Sequence, residues 1–365
     1  MSLKAGIVGL PNVGKSTLFN AITKKDILIA NYPFATIEPN IGIVFVPDER
    51  VTNLTEMYNP KSIKPATFEF VDIAGIVKGA SVGEGLGNKF LSHIREVDAI
   101  VEVVRCFNDK EITHVEGNID PIRDVEIINL ELALADLEIV STRIDKIKKK
   151  AETTKDKETQ DELNALLKSK EALEKNIPLR LISYTKEEEI AIKNFNLLTK
   201  KPHIYLANVS ENEINEENEF VTTLKEYATK ENSKVIMVSA KIESELVELD
   251  DQDKIELLNE LGIKKSGLDK LIETTYSLLG LKTYFTAGAD EVRAWTYKEG
   301  MNAKECAGII HTDFEKGFIK AEVMSYDDLI TYQTELKVKE AGKLRIEGKD
   351  YLMKDGDICH FRFNV

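Results

Sequence analysis

The chain carries the segment GLPNVGKST at Gly9–Thr17, and the architecture of its first domain follows from it. The segment fits the pattern G-x-x-x-x-G-K-[ST], follows the apolar run AGIV, and precedes TLFNAIT, which has a helical pattern. Glycines in such a loop let the backbone wrap around phosphate oxygens, so that successive N–H groups point at the anion. Lys15 is expected to bridge the β- and γ-phosphates, and the Ser16 hydroxyl to bind Mg²⁺. The pattern predicts a nucleoside triphosphate site formed by Asn12, Val13, Gly14, Lys15, Ser16 and Thr17.

Two further segments are expected to place oxygen atoms beside the same phosphates. VDIAG at 71–75 ends an apolar strand with Asp72, which is placed to reach Mg²⁺ through water, and Gly75, whose N–H can sense the γ-phosphate. NYPFATIEPN at 31–40 holds Thr36 where a first switch segment should lie. Taken alone, D-x-x-G is mostly turn chemistry and a threonine is mostly a loop residue. In this context we predict a Mg²⁺ site from Ser16, Thr36 and Asp72.

The base of the nucleotide is expected to meet two later motifs. ANVSE at 207–211 follows the strand pattern HIYLA, and SAK at 239–241 follows KVIMV. The usual guanine reader is N-K-x-D, but here Val209 replaces the lysine and Glu211 replaces the aspartate, while Asn208 is retained. The longer carboxylate spoils the two-point geometry toward guanine N1–H and N2–H₂, so guanine preference should be weakened and adenine becomes plausible. The predicted nucleotide contacts on this side are Asn208, Val209, Glu211, Ser239 and Ala240.

Short apolar runs followed by turn or helix signals indicate a mainly parallel sheet with crossover helices. These runs are Ala5–Gly9, Thr67–Asp72, Ala99–Val104, His203–Asn208 and Lys234–Ser239. The alternation is interrupted after Pro121 by two apolar stripes at helical spacing. The stripes are Leu130, Leu134, Leu137, Ile144 and Ile147, and then Leu163, Leu166, Leu167 and Leu173. They predict an inserted antiparallel helical hairpin, with an ordinary pair of surface helices as the alternative.

The sequence after about Leu281 has a different pattern of strand, helix and turn signals, which predicts a small, separate α+β module. Its expected strands are Thr283–Ala287, Val292–Thr296, Phe318–Val323 and Ile358–Phe363, with a helix near Ala303–His311.

Composition limits the classes of function. A net charge of −14 falls mostly in residues 101–280, so a global basic footprint for nucleic acid is absent and RNA contacts must use local patches. The three cysteines have no disulfide or metal-ligand spacing, which favours a reducing compartment. Neither a signal peptide nor an apolar run long enough to cross a bilayer is apparent, so we expect a cytoplasmic protein without a membrane partner.

In this order the motifs resemble the YchF group of the Obg-related nucleotidases, also called Obg-like ATPases. The most specific segments are GLPNVGKST, NYPFATIEPN, DIAGIVKGASVGEGLGNKFL, ANVSE and TYFTAGADEVRAWT. The resemblance covers essentially the whole chain, and the departure from N-K-x-D is itself the family's pattern. It implies an α/β fold with a P-loop G domain at 1–125 and 200–280, a helical hairpin at 126–199 and a TGS domain at 281–365.

The resemblance also implies a function. The family is similar to GTPases in fold but prefers ATP and is associated with ribosomes and translation. We therefore expect a slowly ATP-hydrolysing switch protein that affects translation or a stress response. Its expected partners are ATP, the ribosome (large subunit and 70S) and RNA, the last through surfaces of the hairpin and the TGS domain, and the chain is expected to be a monomer.

Hydrolysis should be slow, because Ile76 stands where many GTPases place the glutamine that orients the attacking water. Among the five histidines, the resemblance points to a loop histidine, matched here by His114, as the water-positioning group that acts beside Lys15. Asn12 adds a second hypothesis, because relatives with asparagine at this position hold K⁺ beside the phosphates. The alternative for Asn12 is a turn residue that tolerates left-handed backbone.

Two other functions remain open at this point. The chain could be a conventional GTPase of the Obg type, or an adaptor that binds RNA or protein and uses nucleotide only to stabilise its fold. A P-loop small-molecule kinase is disfavoured, because the set of D-x-x-G, ANVSE and SAK serves no phosphoryl acceptor.

Overall fold

The computed structural model describes residues 3–25, 40–73, 86–109, 117–153 and 156–364. The strands, in chain order, are β1 Lys4–Gly9, β2 Ile41–Phe45, β3 Ser62–Lys64, β4 Thr67–Asp72, β5 Ala99–Arg105, β6 His203–Asn208, β7 Lys234–Val238, β8 Leu281–Ala287, β9 Glu291–Lys298, β10 Phe318–Ser325, β11 Arg345–Glu347 and β12 Asp357–Phe363. The α-helices are α1 Lys15–Lys25, α2 Glu49–Tyr58, α3 Leu86–Glu96, α4 Pro121–Thr153, α5 Lys157–Glu174, α6 Lys186–Ile192, α7 Glu219–Lys230, α8 Ala240–Leu246, α9 Asp251–Glu260, α10 Gly267–Leu278, α11 Ala303–Ile310, α12 Thr312–Lys316, α13 Tyr326–Tyr332 and α14 Glu335–Glu340.

The first sheet has the strand order β2-β4-β1-β5-β6-β7. The pairs β1–β4, β1–β5, β5–β6 and β6–β7 are all parallel, which confirms the predicted mainly parallel sheet. Every residue of β5 is buried, as expected for a central strand covered on both faces. Because these strands are parallel, their carboxyl ends lie at one edge of the sheet, the carboxyl edge. Ligands of α/β folds bind at this edge. The strands concerned are β1, β4, β5, β6 and β7.

The predicted helical insertion lies between β5 and β6, where α4 runs for 33 residues and α5 for 18. The second half of α4 packs on α5 through a cluster that includes Val140, Ile144, Leu166 and Leu173. The predicted stripes are wrong at three positions, because Leu130, Leu134 and Leu167 are exposed. For Leu130 and Leu134 the physical reason is that α4 changes partner along its length: its start packs on the sheet domain through Val125, which lies in the cluster with Val104 and Tyr205. In α5, Leu166 and Leu173 lie on the buried face and Leu167 lies off it.

The C-terminal sheet has the order β11-β10-β12-β8-β9-β3. It is mixed, since β8–β9 and β10–β12 are antiparallel whereas β12–β8 and β3–β9 are parallel. Its core combines strand and α11 residues, among them Tyr284, Cys306, Val323 and Phe361. The α+β character predicted for this part is confirmed.

The chain divides into two compact units, and the second is larger than the sequence predicts. It comprises residues 44–68 together with 272–365, and the first comprises 1–43 with 69–271. The segment 44–68 joins the second unit because Ser62, Ile63 and Lys64 pair with Glu291, Val292 and Arg293. Among the described residues, no helix combines the length and the apolar character needed to cross a membrane.

Candidate nucleotide-binding site

The loop between β1 and α1 has the backbone geometry that its glycines and asparagine allow. Asn12 and Gly14 both have positive φ, 65° and 95°, and α1 then begins at Lys15. A Cβ added at Gly14 would lie 2.3 Å from the Asn208 side-chain nitrogen, so only glycine fits there. The N-terminal N–H groups of α1 thus face the carboxyl edge of the sheet, where they can bind an anion.

Asn208 connects the loop to the two motifs expected to meet the base. Its side-chain nitrogen donates to the carbonyl oxygen of Val13 at 2.8 Å, and its side-chain oxygen accepts from the N–H of Ala240 at 2.9 Å. The residue is only 2% exposed. Three segments that are far apart in the sequence therefore meet at one amide, as the prediction of a single nucleotide site requires.

Lys15 and Asp72 meet on the phosphate side. Asp72 is paired with Ile7 across β1–β4, and its Oδ1 accepts a hydrogen bond from Lys15 Nζ. The Lys15 side chain is only 10% exposed. Ser16 and Thr17, next in α1, are exposed. A cation, a carboxylate and accessible hydroxyl groups are thus gathered at a helix N-terminus, which is an arrangement suited to a Mg²⁺–phosphate ligand.

The predicted base-side residues fall into two environments. Val209 is 2% exposed and packs in the cluster with Tyr205 and Val221, and its N–H donates to the carbonyl oxygen of Val238 at 2.8 Å. Ser239 is buried directly before α8. Glu211 lies at the surface, where its Oε2 accepts from Lys241 Nζ at 2.7 Å. This hydrogen bond and the charge of Glu211 raise the pKa of Lys241.

Sequence reasoning missed Lys241 and Arg105. Lys241 is the last residue of the SAK motif, but its partner Glu211 lies 30 residues earlier in the chain, so no local pattern indicates the pair. Arg105 is 1% exposed at the end of β5, and it donates to the carbonyl oxygens of Phe107 at 3.3 Å and Asp109 at 3.1 Å. Burial lowers the pKa of Arg105, although the negative charges of Asp109 and Asp124 act to raise it. The signal for Arg105 was an arginine ending a mainly apolar strand pattern, AIVEVVR.

Four residues of the predicted chemistry lie outside the described part of the chain: Thr36, Gly75, Ile76 and His114. For Asn12, the left-handed backbone that the turn interpretation requires is present, and its role as a K⁺ ligand stays a prediction.

Two family models match the chain. Residues 4–143 match one described as a 50S ribosome-binding GTPase. Residues 281–364 match the model for the C-terminal part of YchF GTPases, which is described as a protein of unknown function.

Curated relatives match over the full length of both chains. The ribosome-binding ATPase YchF of Bacillus subtilis is 60% identical over 367 residues, covering 100% of each chain. The proteins of the same name from Haemophilus influenzae and Escherichia coli O157:H7 are 55% and 52% identical, again covering 100% of each chain. Among solved structures, the Schizosaccharomyces pombe YchF GTPase superimposes with a TM-score of 0.90 at 45% identity, covering 99% of this chain and 98% of that one.

Proposed function

This chain belongs to the YchF family, and from that premise we propose that it is an ATP-preferring switch whose slow hydrolysis of ATP resets a ribosome-associated state. The observation that carries the proposal is the amide of Asn208, which joins the phosphate loop at Val13 to the base-side motif at Ala240. A site assembled from these segments serves a nucleotide that spans both, with phosphates at α1 and the base beside ANVSE.

The phosphate side suits a triphosphate with Mg²⁺. Lys15 would exchange its contact with Asp72 for the β- and γ-phosphates, and the main chain of residues 12–17 would supply N–H donors. Ser16, Thr36 and Asp72 would hold Mg²⁺, Asp72 through water, because hydroxyl and carboxylate oxygens are the donors this ion prefers. When bound, the ion would neutralise charge that develops on the phosphates. Gly75 would sense the γ-phosphate through its N–H.

The base side supports adenine over guanine. The guanine reader needs a free carboxylate at a fixed reach, but Glu211 has the longer side chain and its oxygen is bonded to Lys241 at 2.7 Å. Asn208 keeps its place as the link between segments, and the lysine of the guanine reader is replaced by the buried Val209. Each of these features weakens the two-point recognition of guanine. They argue against an Obg-type GTPase.

For hydrolysis we propose that His114 positions the attacking water and that Lys15 stabilises the charge on the transferred phosphate. The support is the absence of a polar group at Ile76 together with the family resemblance of the sequence around His114. A K⁺ ion beside Asn12 is proposed to add positive charge at the same place, as an arginine finger would.

The partners proposed are ATP and the ribosome, through the large subunit and the 70S particle, with RNA meeting the helical hairpin and a TGS-type C-terminal domain. The names of the full-length relatives support ribosome binding. A cytoplasmic monomer fits this role.

Ribosome co-sedimentation tests the switch. We expect binding to differ between a non-hydrolysable ATP analogue and ADP in the wild type, and to lose that difference in Lys15→Ala, because the variant no longer holds the β- and γ-phosphates. Lys24→Ala is the matched control, since Lys24 lies on the same helix and its contact among the described residues is an exposed ion pair with Glu248. Equal sedimentation of the wild type in both nucleotide states would instead favour an adaptor in which nucleotide is structural.

A further inference from the structure

The carboxyl end of α3 is held by the chain that leaves the helical insertion. Lys201 Nζ donates to the carbonyl oxygen of Arg95 at 3.0 Å and also to that of Val97. The last carbonyl groups of a helix have no partner within it, and a cation is the favourable partner for them. Lys201 therefore caps α3 from a segment that precedes β6.

The Arg95 side chain makes a second connection to the insertion. Its Nη1 donates to the carbonyl oxygen of Asn196 at 3.3 Å and lies 3.6 Å from Oδ1 of Asp136, a residue of α4. The Asp136 side chain is fully buried, whereas that of Arg95 is 24% exposed. The contact thus joins a helix of the nucleotide domain to the interior of the insertion.

Asp136 also fixes the turn that precedes Lys201. Its carboxylate accepts hydrogen bonds from the N–H groups of Leu198 at 2.9 Å and Thr199 at 2.8 Å, and from the Thr199 hydroxyl at 2.8 Å. A buried carboxylate needs such partners, because a buried charge without hydrogen bonds is strongly destabilising. One carboxylate therefore faces both the turn at 198–199 and the side chain of Arg95.

Beside these contacts an open space separates part of α3 from α4. A cavity of about 490 Å³ lies between them, lined by Leu91 and Arg95 of α3, by Ile139 and Arg143 of α4, and by Phe195. The polar contacts of Arg95 therefore lie beside open space, which can accept a displacement of one helix. Such contacts have discrete made and broken states, as an element that responds to a switch requires.

We propose that Arg95, Asp136 and Lys201 form a joint through which nucleotide-dependent movement of α3 reaches the helical insertion. The inference rests on the proposed switch function: α3 is the first described element after the Asp72 motif, and in P-loop switch proteins the segment after this motif responds to the γ-phosphate. Displacement of α3 would withdraw Arg95 and the carbonyl groups that Lys201 caps. The hydrogen bonds between the turn at 196–201 and the Asp136 carboxylate would then weaken. The conformation of the insertion would therefore depend on the bound nucleotide.

Hydrogen exchange of the amides in residues 196–201 tests the joint directly, because the Leu198 and Thr199 N–H groups bind Asp136. With wild-type protein, exchange should differ about fivefold between a non-hydrolysable ATP analogue with Mg²⁺ and ADP with Mg²⁺. Arg95→Met should abolish the difference while leaving the Kd for the analogue within about threefold of the wild-type value. Arg95 is partly exposed, and Asp136 loses only this ion pair and keeps its three hydrogen bonds in the variant.

Lys201→Met provides an independent break of the same joint and should also abolish the difference. Lys200→Met is the matched control, because Lys200 lies in the same turn but pairs with Glu189. Its response should equal that of the wild type.

A wild-type nucleotide response that persists in both Arg95→Met and Lys201→Met would overturn the joint. A wild-type protein that binds the analogue without any change at 196–201 would also overturn it, leaving the nucleotide site intact. Failure to bind the analogue at all would count against the proposed function itself.

Discussion

His114 is the residue to which we assign the attacking water, since Ile76 offers no polar group after D-x-x-G. His114→Ala should lower turnover about 100-fold, because the group that positions the attacking water is lost, with the Kd for ATP unchanged. Single-turnover hydrolysis and equilibrium binding measure the two quantities separately. His360→Ala, which removes an exposed histidine of the C-terminal unit, is the control.

Unchanged turnover in His114→Ala would remove this histidine from the mechanism. The same assay run in K⁺ and in Na⁺ tests Asn12, because equal rates in the two salts would be incompatible with a K⁺ ligand there.

Residue identities could be predicted from sequence where a motif fixes both spacing and context. The segment Gly9–Thr17 did so, and its loop and α1 lie where the motif requires. The bonding of single side chains could not be predicted in this way. Asn208 stays a predicted nucleotide contact, but its bonds to Val13 and Ala240 could not be expected, because no local pattern shows which main-chain groups will face its amide. The Lys241–Glu211 pair was missed for the same reason.

At the scale of elements, β5 and β6 are joined by a buried pair of ionisable side chains. His203 Nε2 and Glu102 Oε2 are 3.0 Å apart, and both side chains are fully buried. Burial lowers the pKa of His203 well below its usual value of 6.5, with the charge of Arg180 acting in the same direction. Burial likewise raises the pKa of Glu102 well above its usual range, and Glu231 adds to the rise. Both shifts favour the neutral forms of the two groups.

This pair predicts a pH dependence of stability. As the pH falls below 6.5, the unfolded chain takes up a proton at His203 and the native chain does not. His203 should therefore lower the free energy of unfolding as the pH falls from 6.5 toward its lowered native pKa, by at most about 1.4 kcal/mol per pH unit. Glu102 contributes in the opposite direction, because above its usual pKa the native chain keeps a proton that the unfolded chain loses. In His203→Gln, which cannot titrate at this position, the His203 contribution is absent, so the wild type should lose more stability per pH unit than the variant as the pH falls. Urea unfolding at a series of pH values measures both slopes, and parallel slopes would contradict the assignment.

Helices and strands were predicted well where they pack on the same neighbours along their whole length. They were predicted poorly where the packing neighbour changes along the element. The apolar runs of β1, β4, β5, β6 and β7 follow from burial within one sheet. In α4 the helical period was correct, but Leu130 and Leu134 were assigned to the buried face and are exposed. A helix of 33 residues that meets the sheet domain first and α5 later buries different faces along its length. The period of the apolar residues alone does not show where along the helix the packing neighbour changes.

At the scale of the whole molecule, the class of each part could be predicted, but one boundary could not. The strands expected after Leu281 are present as β8, β9, β10 and β12. Residues 44–68 nevertheless belong with them, because β3 pairs with β9. The short segment SIK at Ser62–Lys64 has no local feature that identifies a partner more than 200 residues away, so pattern reasoning left it in the first domain.

The preference for ATP is the claim on which the proposed switch depends, and competition binding to nucleotide-free protein with Mg²⁺ tests it most directly. ATP and GTP are titrated separately against a fluorescent adenine nucleotide bound to the full chain. With Glu211 bonded to Lys241 and Val209 buried, ATP should displace the probe at a concentration at least about tenfold lower than GTP. Displacement by GTP at an equal or lower concentration than ATP would contradict the claim.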